Sequence, residues 1–274
     1  MNPEITVQVY AGGYSEEPVP LAVVLDKLTL IQNHIPVNRV IIGWSPSQSL
    51  YRGVGDYLRE RGMEFFLWLP VFAAEDFSFT DPEDPKILQT VLDTYDARFG
   101  GLGFGGVFLD RIRYPADGRD HGANCGAVTG AVAALSAEFR KRGLKIGLDV
   151  FAPFLSRRVG QDIPALSNYA DFVKPMMYLR TDAPAGIPYE TRTMPDKPDL
   201  AHCRRDIAGL AEASACPVYA GVEWNVVPGI ADPDPPYLRD SLSAYAEAGA
   251  RGFVLSWNAL DAPIANIAAL SGVL

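Results

Sequence analysis

Three carboxylates of this 274-residue chain stand at or near the ends of short apolar segments. Asp110 closes the run Gly-Gly-Val-Phe-Leu, Asp149 lies within Gly-Leu-Asp-Val-Phe, and Glu223 lies between Val222 and Trp224. Two carboxyl groups whose pKa values differ can divide the work of an acid and a base between them. These residue types therefore predict an acid–base site, provided that the fold brings them to one place.

The neighbours of each carboxylate suggest how that division falls. Asp110 is followed by Arg111 and Arg113, and a nearby guanidinium lowers the pKa of a carboxyl group. Asp110 is therefore predicted to be ionised and to act as a nucleophile or base. Glu223 has apolar neighbours, and because burial raises the pKa of a carboxyl group, Glu223 is predicted to be the acid. Asp149 is an alternative for either role.

Lys174 allows a different chemistry. It lies in the segment Asp-Phe-Val-Lys-Pro-Met-Met-Tyr, and a desolvated lysine can form a Schiff base with a carbonyl substrate. A buried lysine is more often paired with a carboxylate, so we favour an ion pair with Asp149 or Asp110. In that interpretation Asp149 is a hydrogen-bond anchor for Lys174 or Arg111.

An alternation of short strands and helical segments can bring these side chains together. Segments rich in β-branched and aromatic residues are predicted as strands at 5–10, 39–44, 64–70, 105–110, 145–150, 171–178, 217–222 and 252–257. Helical segments such as 50–62 and 127–143 end on Arg followed by Gly, a helix C-terminal signal. The pattern predicts an α/β fold, a (β/α)8 TIM barrel formed by residues 1–274 as a single domain. A doubly wound sheet, the alternative, would carry a G-x-G-x-x-G loop after its first strand, and residues 10–18 lack one.

In a barrel of this kind the active site lies at the C-terminal ends of the strands. All four tryptophans of the chain lie at or near these predicted ends, together with the carboxylates. A single tryptophan in a strand is more often a core residue. Jointly, however, aromatic rings that stack on sugar faces and carboxylates that act on the glycosidic bond predict a site for an oligo- or polysaccharide. The residues predicted to bind substrate are Tyr10, Trp44, Trp68, Arg111, Arg113, Lys174, Tyr178, Trp224, Trp257 and Asn258.

Composition limits the other partners. The formal net charge of −9 argues against binding to nucleic acid or to an anionic membrane surface. The three cysteines and three histidines are scattered without metal-ligand spacing, so no metal and no organic cofactor is predicted. No apolar run reaches the ~18 residues of a membrane span, and the N-terminus resembles no signal peptide. The expected location is cytoplasmic, or secreted if a leader has been removed, and the oligomeric state is left open.

Two segments carry a resemblance to a known family. GGVFLDRIRYP and GLDVFAPFLSRRVGQDIPALSNYADFVKPMMY resemble a family of glycoside hydrolase-like barrels of uncharacterised activity. In that family an Asp-aromatic-Ile-Arg-aromatic-Pro strand end precedes an Asp-Val-Phe strand, and a Gly-Gln-Asp segment and a Pro-Met-x-Tyr strand follow. The resemblance covers about residues 101–180, and it implies that Asp110 is the first residue to consider as catalytic.

A more distant similarity is to the chitinases of glycoside hydrolase family 18. In these, strand four ends in Asp-x-Asp-x-Glu before Tyr-Pro, strand six carries Met-x-Tyr, and strand eight ends in Trp. Asp110 matches the last Asp of the first motif, Met176 and Tyr178 match Met-x-Tyr, and Trp257 matches the final Trp.

The chain departs from the chitinase pattern at one important position. Ile112 stands near the place of the acidic Glu, so the acid is expected from elsewhere, with Glu223 as the leading candidate. The resemblance implies a glycoside hydrolase. A carbohydrate-binding barrel without catalytic activity is the first alternative, because the chitinase-type Glu is missing. A lyase that forms a Schiff base through Lys174 is the second.

Overall fold

Eight parallel strands close into a barrel in chain order. The computed structural model describes residues 3–12, 17–74, 78–180 and 198–273. The strands are β1 (Glu4–Val9), β2 (Arg39–Ile42), β3 (Glu64–Pro70), β4 (Gly106–Asp110), β5 (Lys145–Phe151), β6 (Phe172–Met176), β7 (Tyr219–Glu223) and β8 (Gly252–Ser256). Strand β1 pairs with both β2 and β8, which completes the closure. The predicted (β/α)8 barrel is confirmed.

Helices connect the strands and cover the outside of the barrel. In the described part of the chain they are α1 (Leu21–Gln32), α2 (Gln48–Glu60), α3 (Lys86–Arg98), α4 (Cys125–Lys141), α5 (Pro153–Ser156), α6 (Ile163–Ser167), α7 (Leu200–Ala213), α8 (Pro235–Glu247) and α9 (Ile264–Leu270). Helices α2 and α4 each begin and end two residues before the predicted bounds. The chain leaves them through Gly62 and Gly143, both in the left-handed region that glycine adopts without strain. None of the helices described is long and apolar enough to cross a membrane.

Helices α7 and α8 each begin with an aspartate cap. Asp199 accepts a hydrogen bond from the backbone N–H of His202 at the start of α7, and Asp234 accepts one from Tyr237 at the start of α8. Such caps satisfy backbone donors that the first helical turn leaves free. The cap on α8 also fixes Tyr237, whose side chain reaches the site described below.

A layer of large side chains fills the middle of the barrel. It consists of Ile41, Phe66, Phe108, Phe172, Tyr219 and Val254, with Trp68 packed against it. The rings of Phe108 and Phe172 stack with their centroids 5.9 Å apart. This layer separates the N-terminal end of the barrel from the C-terminal end, where β4 ends in Asp110.

The N-terminal end is closed by a group of residues here called the basal cluster: Arg39, Glu4, Glu64, Phe66, Phe172 and Tyr219. Arg39 is buried, and its Nε donates a hydrogen bond to Glu64 Oε2 at 2.7 Å. The guanidinium lies over the ring of Phe172, 4.5 Å from its centroid, and Tyr219 donates its hydroxyl hydrogen to Glu4 at 2.5 Å. Aromatic faces and carboxylates around the guanidinium offset the cost of burying its charge.

Candidate active site

Asp110 is held in one orientation at the end of β4. Its Oδ2 accepts a hydrogen bond from Trp68 Nε1 at 2.9 Å, and its Oδ1 accepts one from the backbone N–H of Arg111 at 2.5 Å. Arg111 has a φ of +53°, a conformation uncommon for residues other than glycine, and it turns the chain away from the strand. Asp110 remains partly exposed, so its carboxylate is available at the C-terminal mouth of the barrel.

Two arginines flank this carboxylate in the loop. The guanidinium of Arg111 lies 4.1 Å from the ring centroid of Phe79, and that of Arg113 lies 4.7 Å from the same centroid and 4.4 Å from that of Phe151. Burial lowers the pKa of Arg113 to about 10, although the charges of Asp110 and Asp149 oppose this shift. Arg113 is therefore protonated at neutral pH.

Asp149 forms an ion pair with Lys174 on the adjacent strand. The two are register partners between β5 and β6, and Lys174 Nζ lies 2.9 Å from Asp149 Oδ1 and 3.1 Å from Oδ2. Both side chains are buried. The prediction of an ion pair with Asp149 is confirmed. A Cβ at Gly221 would lie 2.4 Å from Lys174 Cε, so only glycine at that position leaves room for this lysine.

The pKa of Asp149 is raised to about 7. Burial is the main cause; Lys174 and Arg113 oppose it, and the negative charge of Asp110 adds to it. Asp110 and Asp149 lie on neighbouring strands, each one residue beyond the paired residues Leu109 and Leu148. The structure thus brings together a partly exposed carboxylate and a buried one that takes up a proton near neutral pH.

Tyr178 extends this network towards β8. Its hydroxyl oxygen accepts a hydrogen bond from Lys174 Nζ at 2.5 Å. Burial raises the pKa of Tyr178 well above its ordinary value, and the negative charge of Asp149 adds to the shift. The phenol therefore stays protonated and neutral, and it supports the lysine rather than competing for its proton.

Glu223 lies in a closed environment. It has no exposed surface; its Oε1 accepts a hydrogen bond from the backbone N–H of Arg180, and its Oε2 accepts one from the Tyr237 hydroxyl at 3.0 Å. Burial raises the pKa of Glu223 to about 7, against the effect of these two donors. Both oxygens face protein donors, so this structure gives Glu223 no approach to a bound molecule at the mouth.

The predicted aromatic platforms divide into two groups. Tyr10 is 36% exposed, and Trp44, Trp68 and Trp257 are partly exposed. Trp224 is fully buried in the main hydrophobic core. It follows Glu223 directly, and because neighbouring residues of an extended chain point in opposite directions, Glu223 and Trp224 cannot both face the mouth. With no exposed face, Trp224 is a packing residue in this structure.

Asn258 organises the loop after β8. Its Oδ1 accepts hydrogen bonds from the backbone N–H groups of Tyr10 at 2.9 Å and Leu260 at 3.3 Å. Its Nδ2 donates to Asp261 Oδ2 at 2.8 Å, and the side chain is buried. Asn258 thus positions the backbone of Tyr10 instead of presenting free polar atoms to a ligand.

Four residues near the site escaped sequence reasoning. Phe79 and Phe151 contact the two arginines, Tyr237 contacts Glu223, and Gly221 makes space for Lys174. Phe151 and Gly221 lie in predicted strands or directly after one, so alternation along β5 and β7 could have found them. Phe79 and Tyr237 lie in a loop and a helix, and no local pattern marks them.

Comparisons with known proteins agree on the fold. No protein-family model and no curated protein matches this chain. Among solved structures, the PgaB (BpsB) glycoside hydrolase domain from Bordetella bronchiseptica is similar with a TM-score of 0.71 and 13% identity, over 99% of both chains. The Group IV chitinase of Ostrinia furnacalis is similar with a TM-score of 0.69 and 11% identity, over 98% of this chain and 99% of that one. The spore cortex-lytic enzyme SleL of Bacillus megaterium QM B1551 is similar with a TM-score of 0.66 and 12% identity, over 98% of this chain and 73% of that one.

These similarities define the class of structure. The chain has a closed (β/α)8 barrel that is similar along its whole length to chitinase and glycoside hydrolase domains. The distant similarity to chitinases expected from the sequence is therefore confirmed at the level of the fold. Because folds of this kind host many chemistries, the reaction has to be argued from the side chains.

Proposed function

We propose that this protein is a glycoside hydrolase that cleaves an oligo- or polysaccharide at the C-terminal mouth of the barrel. The observation that carries the proposal is the pair of neighbouring carboxylates, Asp110 partly exposed and Asp149 buried with a pKa raised to about 7. Glycosidic cleavage needs one ionised and one protonated carboxyl group. Similarity to solved chitinase and glycoside hydrolase domains supports the same class of reaction.

Asp110 is the residue that contacts the substrate in this proposal. Trp68 and the Arg111 backbone fix its carboxylate, which acts as the nucleophile or base. Asp149 holds the proton of the pair, and Lys174 and Tyr178 are positioning residues behind it. Glu223 lies on β7, which is not adjacent to the strand of Asp110, and its two oxygens hydrogen-bond the loop after β6 and helix α8, so we assign it to holding these two elements in place.

The exposed rings supply binding surface for the sugar. Tyr10, Trp44, Trp68 and Trp257 are partly exposed, and aromatic faces are suited to the apolar faces of sugar rings. Trp68 has a second task, since its indole N–H also orients Asp110. Trp68 lies on β3, and the other three residues lie just after the ends of β1, β2 and β8, so a saccharide in contact with them lies over the first half of the mouth, beside Asp110.

One observation favours a binding protein without catalytic activity. Lys174 contacts both oxygens of Asp149, which stabilises the ionised form of that carboxyl group, and Glu223 is enclosed. If both groups fail to deliver a proton, only Asp110 remains at the mouth. The Schiff-base alternative needs an amine that a carbonyl substrate can reach, whereas Lys174 Nζ is buried and hydrogen-bonded to both Asp149 oxygens and to the Tyr178 hydroxyl.

The test is a hydrolysis screen on purified protein against chitin-type, α- and β-glucan, galactosaminoglycan and arabinan substrates. Wild type is compared with Asp110→Asn, Asp149→Asn and Asp240→Asn, a control on the exposed surface of α8. Loss of acid–base or nucleophilic catalysis is expected to lower turnover about 10²–10⁴-fold in the first two variants, with the control unchanged. Binding of a glycan by all four proteins without turnover would assign the binding function instead.

A further inference from the structure

Arg113 is a charged group that the proposed cleavage step does not use. Its Nη1 donates a hydrogen bond to the backbone oxygen of Tyr114 at 3.2 Å, and its guanidinium lies over the rings of Phe79 and Phe151. Among the residues that the structure describes, no carboxylate forms an ion pair with it. A guanidinium carries five N–H donors, and the bond to Tyr114 is the one side-chain hydrogen bond that Arg113 makes with the described residues, which leaves donors for another molecule.

The turn after β4 determines where this guanidinium lies. The backbone N–H of Arg113 donates to the oxygen of Arg111 at 2.9 Å. Ile112 between them is fully buried, and its oxygen accepts a hydrogen bond from Gln161 Nε2 at 3.2 Å. The buried Ile112 anchors the turn to the protein, and the residues on either side of it both contact Phe79.

Aromatic contact restricts how Arg113 can bind a partner. The centroids of the Phe79 and Phe151 rings lie 4.7 and 4.4 Å from the guanidinium carbon of Arg113, so the binding surface that is left is the edge formed by the N–H groups that do not face these rings. That edge matches a carboxylate in a bidentate, planar arrangement. Asp110 lies close enough to influence the charge of Arg113, so a group bound at this edge lies beside the carboxylate proposed to react.

We propose that Arg113 forms a subsite for a carboxylate on the glycan, and that the substrate is an acidic oligo- or polysaccharide containing uronic acid units. The inference rests on the proposed function, which supplies a glycan as the substrate, and it adds that this glycan is negatively charged. The net charge of −9 repels a polyanion at long range. Salt at physiological strength screens charges beyond ~8 Å, so recognition depends on the local guanidinium.

Titration calorimetry with matched glycans tests the subsite. The probes are trisaccharides of galacturonic acid and of glucuronic acid, each as the free acid and as the methyl ester, which lacks the charge. Wild type is expected to bind at least one free acid about tenfold or more tightly than its ester, the range for a charge-assisted hydrogen-bonded pair. Arg113→Gln is expected to bind acid and ester alike, and Arg52→Gln, on the exposed side of α2, to match wild type.

The outcomes separate the subsite from the cleavage reaction. Equal binding of acid and ester, or binding of none of the probes, would overturn the subsite. Acid-selective binding with no turnover would support the subsite and count against the hydrolase. Turnover of neutral glycans without acid selectivity would support the hydrolase and count against the subsite. If Arg113→Gln does not fold in a thermal unfolding assay, Arg113→Lys replaces it. This variant keeps the charge but not the bidentate edge, and a several-fold loss of selectivity is expected.

Discussion

Lys174 Nζ lies within 3.1 Å of both carboxylate oxygens of Asp149, and neither side chain is more than slightly exposed. The pair confirms the expected contact between Lys174 and a carboxylate. It gives the buried lysine a partner, and it places a second carboxyl group behind Asp110. Gly221 is part of the same arrangement, because any side chain there would occupy the path of Lys174.

The first prediction concerns the pH dependence of activity. With Asp149 as the proton holder and its pKa raised to about 7, kcat is expected to fall as the pH rises through about 7, because the proton is lost. Lys174 lowers the pKa of Asp149, so Lys174→Met is expected to shift this alkaline limb to higher pH. Activity is measured from pH 5 to 9, with Lys86→Met on exposed α3 as the control. An alkaline limb that stays in place in Lys174→Met would rule out Asp149 as the titrating group.

The second prediction concerns stability and Glu223. Burial raises its pKa from 4.5 to about 7, so between these values the folded protein binds a proton that the unfolded chain has released. The free energy of unfolding therefore falls as the pH rises from about 4.5 to 7, by up to about 3 kcal/mol for this group. Glu223→Gln is expected to remove that part of the slope and to be more stable relative to wild type at pH 8 than at pH 5.

Urea unfolding at pH 5, 6, 7 and 8 measures this difference. Glu212→Gln, on the exposed surface of α7, is the control and is expected to keep the slope of wild type. Parallel curves for wild type and Glu223→Gln would show that Glu223 does not take up a proton on folding in this range.

The third prediction separates the two tasks of Trp68. Trp68→Phe keeps an aromatic ring but removes the N–H that binds Asp110 Oδ2. Loss of a hydrogen bond to a charged group costs about 1.5–3 kcal/mol, so kcat is expected to fall about tenfold or more with KM little changed. Steady-state kinetics on the substrate found in the screen gives both constants. A rise in KM alone would mean that Trp68 acts only as a surface for sugar binding.

The fourth prediction is that the basal cluster contributes to stability but not to activity. Arg39→Met removes a buried cation from contact with Phe172 and Glu64, and a loss of about 1–3 kcal/mol in the free energy of unfolding is expected. The cluster lies at the end of the barrel opposite Asp110, so kcat is expected to remain unchanged at a temperature where the variant is folded. Arg52→Met is the surface control. A selective loss of kcat in Arg39→Met would show that the basal cluster also contributes to activity.

The order of elements was predictable because each strand has its own apolar run and because helical segments such as those of α2 and α4 end on Arg followed by Gly. Strand β6 shows where local reasoning stops. The prediction extended it to Tyr178, whereas the strand ends at Met176. Tyr178 lies beyond the last paired residue, where its hydroxyl can meet Lys174.

The candidate site was predictable where it depends on strand order. Asp110, Asp149 and Lys174 lie on consecutive strands of one barrel, so their proximity follows from the topology. The hydrogen-bond partners of Glu223 were not predictable, because they come from Arg180 in the loop after β6 and Tyr237 on α8. Phe79 was missed for a similar reason: its contact with Arg113 depends on how two loops meet above the barrel.

The basal cluster and the aromatic layer above it also determine the route by which a long molecule can reach and leave the mouth of the barrel. With its floor sealed by Arg39 and its middle filled by Phe66, Phe108 and Phe172, the barrel is a cup with a single opening. A polymer can lie across the rim but cannot be threaded from one end to the other. In the proposed cleavage reaction, both fragments of a polymer therefore leave by the side on which the intact chain arrived, so departing fragments and incoming chains compete for the same entrance.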